Sequence, residues 1–132
     1  MTDRLRRRLL DAHRPTLGTV FDCADVVAAA WDGGATTDRQ RVVPPFRTVL
    51  REANALEALV DAWAESFTHA GYEPSGRPVP NPPYVVVTSV GVVLRATVSE
   101  GRLVATLRTF AVDPYERAGT LPEALAVEHR GR

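Results

Sequence analysis

Apolar residues in the first half of the chain recur at the spacing of one helix face, whereas those of the second half alternate. Leu17, Val20, Phe21, Ala24, Val27, Ala28 and Trp31 follow the i, i+3, i+4, i+7 rule. Phe46, Val49, Leu50, Ala53, Leu56, Val60, Trp63, Phe67 and Ala70 do the same as far as Gly71. A shorter helix is expected over 3–13, capped by Thr2, with Asp3 in its favourable first turn and Arg7 one turn beyond as its ion-pair partner. Pro15 breaks or kinks the chain after this helix, because proline removes a donor and clashes with the preceding turn. Gly33-Gly34 ends the second helix, 33–43 reads as a polar loop, and Pro44-Pro45 opens the next helix. Cys23, Val26 and Ala30 lie off the second helix's stripe, so that helix is expected to be apolar over most of its circumference and central in the fold. Asp22, Asp25 and Asp32 form its polar seam. Asn54 with Glu57 three residues on is a candidate capping box that divides 45–70 into helices over 45–52 and 55–70.

Tyr84–Ser89, Val92–Ser99 and Arg102–Val112 are rich in β-branched residues. With Val90-Gly91 and Glu100-Gly101 as two-residue hairpin loops, Val98 faces Leu103, Ala96 faces Ala105 and Leu94 faces Leu107. In the first hairpin Val87 faces Leu94 and Val85 faces Ala96. One face then collects Val85, Val87, Leu94, Ala96, Val98, Leu103, Ala105 and Leu107 and holds no polar residue. A final run, Ala124–His129, is a candidate fourth strand. The expected architecture is a two-layer α+β fold, with N-terminal helices packed on one face of a C-terminal antiparallel meander of three or four strands. It is read as a single domain over 1–132: a helical half (1–71), a Pro-rich strap (72–83), and the meander with its C-terminal strand (84–132). Pro74, Pro78, Pro80, Pro82 and Pro83 bias the strap to polyproline II. Arg77, Pro80 and Pro83 match an Arg-x-x-Pro-x-x-Pro ligand pattern, a cheap match in such a run.

Composition adds exclusions more than functions. Sixteen basic residues balance sixteen acidic ones, which argues against a general polyanion binder. Every basic residue is Arg, and both Lys and Ile are absent; substitution within chemical classes points to a GC-rich genome. The lone Cys23 forbids an internal disulfide or a multi-cysteine metal site and suggests a reducing compartment. The start of the chain has no signal-like apolar stretch, and no apolar run approaches ~18 residues, so a soluble cytoplasmic protein is expected.

The stretches Pro83-Tyr84-Val85-Val86-Val87-Thr88-Ser89 and Gly101-Arg102-Leu103-Val104, with the Arg/Val/Ala bias, carry a resemblance. In its C-terminal half the chain resembles a small uncharacterised haloarchaeal protein family of unknown function. The resemblance implies no activity, cofactor or site residue. The balanced acid count departs from it, since halophilic proteins carry a marked acidic excess, and leaves another high-GC source open.

Candidate chemistry falls on the other sheet face, made of Tyr84, Val86, Thr88, Val93, Arg95, Thr97, Val104, Thr106, Arg108 and Phe110. In the derived register Arg95 sits between Val86 and Thr106, with Arg108 on its diagonal. Such a face is too apolar for a plain solvated surface and too polar for a core. It reads as a contact surface for a second copy of the chain or for another protein; the bland alternative is a solvent face whose Val and Thr serve strand propensity. Arg4, Arg6, Arg7 and Arg8 are possible phosphate contacts, and with Tyr84, Arg95, Arg108 and Phe110 as a stacking platform they make nucleic-acid binding the alternative. The competing structural reading pairs these arginines with Asp3, Asp11 and the acidic seam of the second helix.

Catalytic signals are sparse. His13, His69 and His129 share no ligand spacing, Asp22 and Asp25 lack a completing His or Glu, and Cys23 between two carboxylates reads as a small apolar filler. No phosphate loop, nucleophile elbow or dinucleotide fingerprint is present. No catalytic residue, cofactor or metal site is therefore assigned. A third alternative, a small-molecule binder or enzyme, needs a pocket between helices and sheet lined by Trp31, Trp63 or Asp25. The leading expectation is a non-catalytic protein–protein interaction or homo-oligomerisation module that uses the outer face of the meander.

Overall fold

The computed structural model describes residues 2–131; Met1 and Arg132, which the single-domain expectation includes, lie outside them. Four helices come first: α1 (Thr2–Ala12), α2 (Arg14–Ala28), α3 (Val43–Glu52) and α4 (Ala55–His69). Leu5, Leu9 and Leu10 bury the apolar stripe of α1, which packs on α4 and on the last strand of the chain. In α2 the buried side holds Leu17, Val20, Phe21, Cys23, Ala24, Val27 and Ala28, but Val26 is 59% exposed. The expected polar seam is therefore present at Asp22 and Asp25, and the solvent face is wider than expected because Val26 joins it, whereas Cys23 is buried. Its end is also earlier than expected, at Ala28, with a 3₁₀ turn over Asp32–Gly34 beyond it.

The break between α3 and α4 is present, for a different reason from the expected capping box. Asn54 has a left-handed backbone (φ 57) and its side chain caps nothing. Asparagine tolerates that conformation, which turns the chain after Ala53.

The strands are β1 (Ala35–Thr36), β2 (Val85–Val87), β3 (Gly91–Val98), β4 (Gly101–Arg108), β5 (Phe110–Ala111), β6 (Tyr115–Arg117) and β7 (Leu125–Arg130). The larger sheet runs β2-β3-β4-β7, antiparallel throughout, so the expected fourth strand is in place. Both hairpins are displaced by two residues from the expected register. Ala96 faces Leu103, Leu94 faces Ala105, and Val87 faces Val92. The loops are consequently Ser89-Val90 and Ser99-Glu100. The Thr88 hydroxyl organises the first by accepting the Val90 and Gly91 N–H groups, each at 3.2 Å. An even displacement leaves every side chain on its expected face, whereas a one-residue slip reverses them all. The inner face is accordingly as expected: Val85, Val87, Leu94, Ala96, Val98, Leu103, Ala105 and Leu107 are buried, and Val92 joins them. These residues form one apolar cluster with all four helices. The fold is α+β, with the helices on the inner side of the sheet.

A second, small sheet, β1-β6-β5, lies beyond what the sequence pattern predicts. It takes two residues from the expected 33–43 loop and two from the end of the Arg102–Val112 run. That run breaks at Thr109: the N–H groups of Thr109 and Phe110 both donate to the Val90 carbonyl, at 2.9 and 3.2 Å. Thr109 and Phe110 are both buried, so the alternation loses its phase there. Phe110 is thereby corrected from the outer face to the core. It is 1% exposed and stacks edge-on to Phe46 at 5.1 Å and tilted to Trp31 at 5.5 Å. Arg117 on β6 fastens this corner to α2: its Nε donates to Asp25 at 2.8 Å, and its guanidinium lies 4.8 Å from the Phe21 ring centroid. Its Nη1 also donates to the carbonyls of Thr109, Ala118 and Gly119.

The Pro-rich strap begins beside the sheet. Ser75 N–H donates to the Thr97 carbonyl and Ser99 N–H to the Glu73 carbonyl, both at 3.0 Å, so the strap covers the β3 edge beyond β2.

Candidate functional site

Outward side chains of the larger sheet stand in rows across the strands, set by the register. Val86, Val93, Thr106 and Ala126 make a middle row without charge. Next to it run Tyr84, Arg95, Val104 and Glu128; Tyr84 enters the row because its carbonyl accepts the Arg95 N–H at 2.8 Å. The row at the far end is Thr97, Arg102 and Arg130. At the opposite end Gly91 faces Arg108. Arg95, Thr97, Arg102, Arg108, Glu128 and Arg130 are exposed, while Tyr84, Val86, Val93, Val104 and Thr106 are half-buried.

The two-residue displacement changes which arginines are neighbours. Arg95 lies between Tyr84 and Val104 rather than between Val86 and Thr106. Its diagonal neighbour on β4 is therefore Arg102, and Arg108 stands four residues from Val104 along the strand, ~13 Å away. Arg102 and Arg130, directly opposite each other, are outer-face residues that the sequence pattern does not single out. Arg102 has the same parity as Val104, Thr106 and Arg108, and placing the loop at Glu100-Gly101 hid it. Pro83, Tyr84, Arg95, Thr97, Arg102, Val104 and Arg130 line an open groove of about 420 Å³ at this end of the sheet. Arg130 reaches Glu128 at 3.4 Å with both side chains largely in solvent, a pair worth little. Among the described residues, Arg95, Arg102 and Arg108 take part in no ion pair.

The arginines of α1 divide by use. Arg6 donates to the carbonyls of Leu125 and Pro122 at 2.9 and 2.6 Å, which ties α1 to the start of β7. Arg8 makes a two-pronged contact with Glu65 on α4, at 2.9 and 2.8 Å. Arg4 and Arg7 are exposed. Of the four possible phosphate contacts, Arg6 and Arg8 are thus engaged within the fold, and Arg8 answers Glu65 rather than the nearby Asp3 or Asp11. The Asp25 of the acidic seam is answered by Arg117 instead.

Glu65 also lies 2.6 Å from His13 Nε2. The hydrogen bond from Arg8, followed by that from His13, draws the Glu65 carboxyl from 4.5 to about 2. A carboxylate with a depressed value in the folded chain stabilises the fold above its ordinary value, and that contribution is lost as pH falls through the folded value. Between pH 4.5 and about 2, the thermal midpoint of wild type should therefore fall more steeply than that of Glu65→Gln. Parallel profiles in that window would show that the cluster does not couple to folding.

Other candidate residues do not converge. Trp31 and Trp63 are buried in the core, and Asp25 is at the surface on Arg117, so the three do not line one pocket. Burial, with the Asp22 carboxylate adding to it, pushes the Cys23 thiol up, away from nucleophile character. His13 sits on Glu65, whereas His129 Nε2 approaches the Glu100 carbonyl at 2.8 Å. Among the described residues no three His, Cys, Asp or Glu side chains gather as a metal-ligand set, and no helix is long and apolar enough to cross a membrane.

No curated protein and no solved structure matches this chain. A family of unknown function does match, over residues 3–130, nearly the whole sequence. With that coverage, the chain belongs to the family described as Domain of unknown function (DUF7988).

Proposed function

We propose that the domain is a non-catalytic interaction module that docks another protein on the outer face of its larger sheet. The observation that supports this reading is the make-up of that face. An uncharged middle row of Val86, Val93, Thr106 and Ala126 lies between Arg108 at one end and Arg95, Arg102 and Arg130 at the other. Contact surfaces combine apolar area with Arg and Tyr anchors, and strand propensity accounts for the Val and Thr but not for Arg95, Arg102 and Arg108, which make no ion pair among the described residues.

Charge favours a different protein over a second copy. Closed pairing of two such faces uses a two-fold axis in the plane of contact, and the two limiting directions are along the strands and across them. An axis along the strands sets the Thr97–Arg102–Arg130 end against the same end of the copy, and one across them sets it against the Arg108 end. Both oppose arginine to arginine, with Glu128 alone among the described row residues to offset it. A heterologous partner avoids this cost. The nucleic-acid alternative is weakened by three observations: Arg6 and Arg8 are engaged in the fold, Phe110 is in the core, and Tyr84 is left as the aromatic ring of the face. Stacking tracks use successive rings.

A photo-crosslinking residue at Val93, with exposed Val26 on α2 as control, tests the reading in the source cell. The expected result is a discrete adduct from Val93 to a protein other than this chain, without an equivalent from Val26. Adducts only between copies of the chain, or equal labelling from both positions, would contradict it.

A further inference from the structure

We infer that the Arg95–Arg102–Arg130 end of the outer face is a carboxylate-binding groove that takes an acidic segment of a partner protein, an extended stretch with neighbouring Glu or Asp side chains. The inference rests on the docking role proposed above and specifies the partner's chemistry.

Arginines in this chain that hold the fold together have recognisable partners. Arg6 donates to two backbone carbonyls, Arg117 to three carbonyls and a carboxylate, and Arg8 to both oxygens of Glu65. The groove arginines are different. Among the described residues, Arg95 and Arg102 have no ion-pair partner, and Arg130 has only its exposed contact with Glu128. Arg102 faces Arg130 directly across the β4–β7 pair, and Arg95 lies on the diagonal from Arg102. Like charges directly opposite on neighbouring strands destabilise a sheet, so this cluster works against the free fold. A bound carboxylate reverses the sign: it sits between guanidiniums whose planar donor forks match its two oxygens.

The groove suits a peptide better than other anions. Val104, Pro83 and Tyr84 give its lining apolar surface, and Thr97, opposite Arg102 on the neighbouring strand, adds a hydroxyl. At about 420 Å³ and open to solvent, it accommodates a few side chains rather than an enclosed small molecule. A phosphate backbone requires a longer track of charge. Here the next arginine, Arg108, is six residues along β4 from Arg102, ~20 Å away, with the uncharged Val93 and Thr106 between. The zero formal charge of the chain also supplies no general attraction for a polyanion.

Titration of the labelled full chain with a hexameric oligoglutamate peptide, monitored by amide NMR, tests the inference. The shifts are expected to centre on Arg95, Thr97, Arg102, Val104 and Arg130 and to shrink as salt is raised. Arg102→Thr is expected to weaken binding about tenfold or more, while its thermal midpoint equals or exceeds that of wild type because a like-charge contact is removed. A lowered midpoint would give Arg102 a structural role and overturn the argument. An equal response to oligoglutamine, no shifts at these amides, or tighter binding of a single-stranded DNA hexamer to them would overturn the acidic-segment assignment. If Val93 cross-links to another protein while oligoglutamate leaves the groove unperturbed, docking stands and its acidic chemistry does not. If Val93 gives no such adduct but oligoglutamate binds as expected, the groove stands and the protein-docking reading falls.

Discussion

Gly91→Ala is expected to destabilise the protein by about 4 kcal/mol, a large part of the roughly 5–15 kcal/mol that holds an ordinary domain together. Gly91 opens β3 opposite Arg108 with φ 152, a conformation that L side chains rarely adopt. An added Cβ would lie 1.9 Å from the Leu107 carbonyl oxygen and 3.0 Å from its carbon. Both are backbone atoms, so relief requires β3 and β4 to separate where their pairing begins. Gly76→Ala is the control: its Cβ would meet only the Tyr84 hydroxyl, at 3.6 Å, and the change should stay within about 0.5 kcal/mol. Urea unfolding of the two variants measures the difference. With Gly91 in the hairpin loop, as the sequence alone suggests, alanine would meet no backbone clash and would cost about 1–2 kcal/mol for its left-handed conformation. The size of the loss therefore reports the register as well as the clash.

Phe110→Ala is expected to cost about 3–5 kcal/mol, the range for deleting a buried aromatic side chain. Phe110, on the small sheet, is wedged between Trp31, which follows α2, and Phe46 on α3. Removing the ring leaves a cavity between two further aromatic rings and removes the edge-to-face contact. Thr106→Ala on the outer face should change stability by about 0.5 kcal/mol or less. Near-equal unfolding midpoints for Phe110→Ala and wild type would return Phe110 to the surface and restore the stacking platform on which a nucleic-acid reading depends.

These two residues show where sequence pattern stops being informative. The faces of the larger sheet were legible because side-chain alternation has a period of two, and the register differs from expectation by an even number of residues. The neighbours within a face were not legible, because glycine reads as a turn residue whereas Gly91 marks a close approach of backbones. Gly101, read as a loop residue in the same way, made Arg108 rather than Arg102 the diagonal neighbour of Arg95. Phe110 was lost at Thr109, where two successive residues turn inward. The signal in the chain was a polar residue at an inward position with an aromatic at the next, outward one. β1 has two residues and exists through its pairing with β6, so local sequence carries no trace of it. The roles of Arg6 and Arg8 depend on Pro122, Leu125 and Glu65, which are remote in sequence. The break at Asn54, in contrast, was visible from the residue type, although a left-handed turn rather than a cap produces it.

On the proposed docking mode the groove arginines, and not the exposed arginines of the first helix, engage the partner. Cross-linking from Val93 in two charge-reversed backgrounds tests this most directly. Arg95→Glu with Arg102→Glu should abolish the heterologous adduct, whereas Arg4→Glu with Arg7→Glu should leave its yield unchanged. Loss of the adduct in the helix variant with retention in the sheet variant would contradict the account.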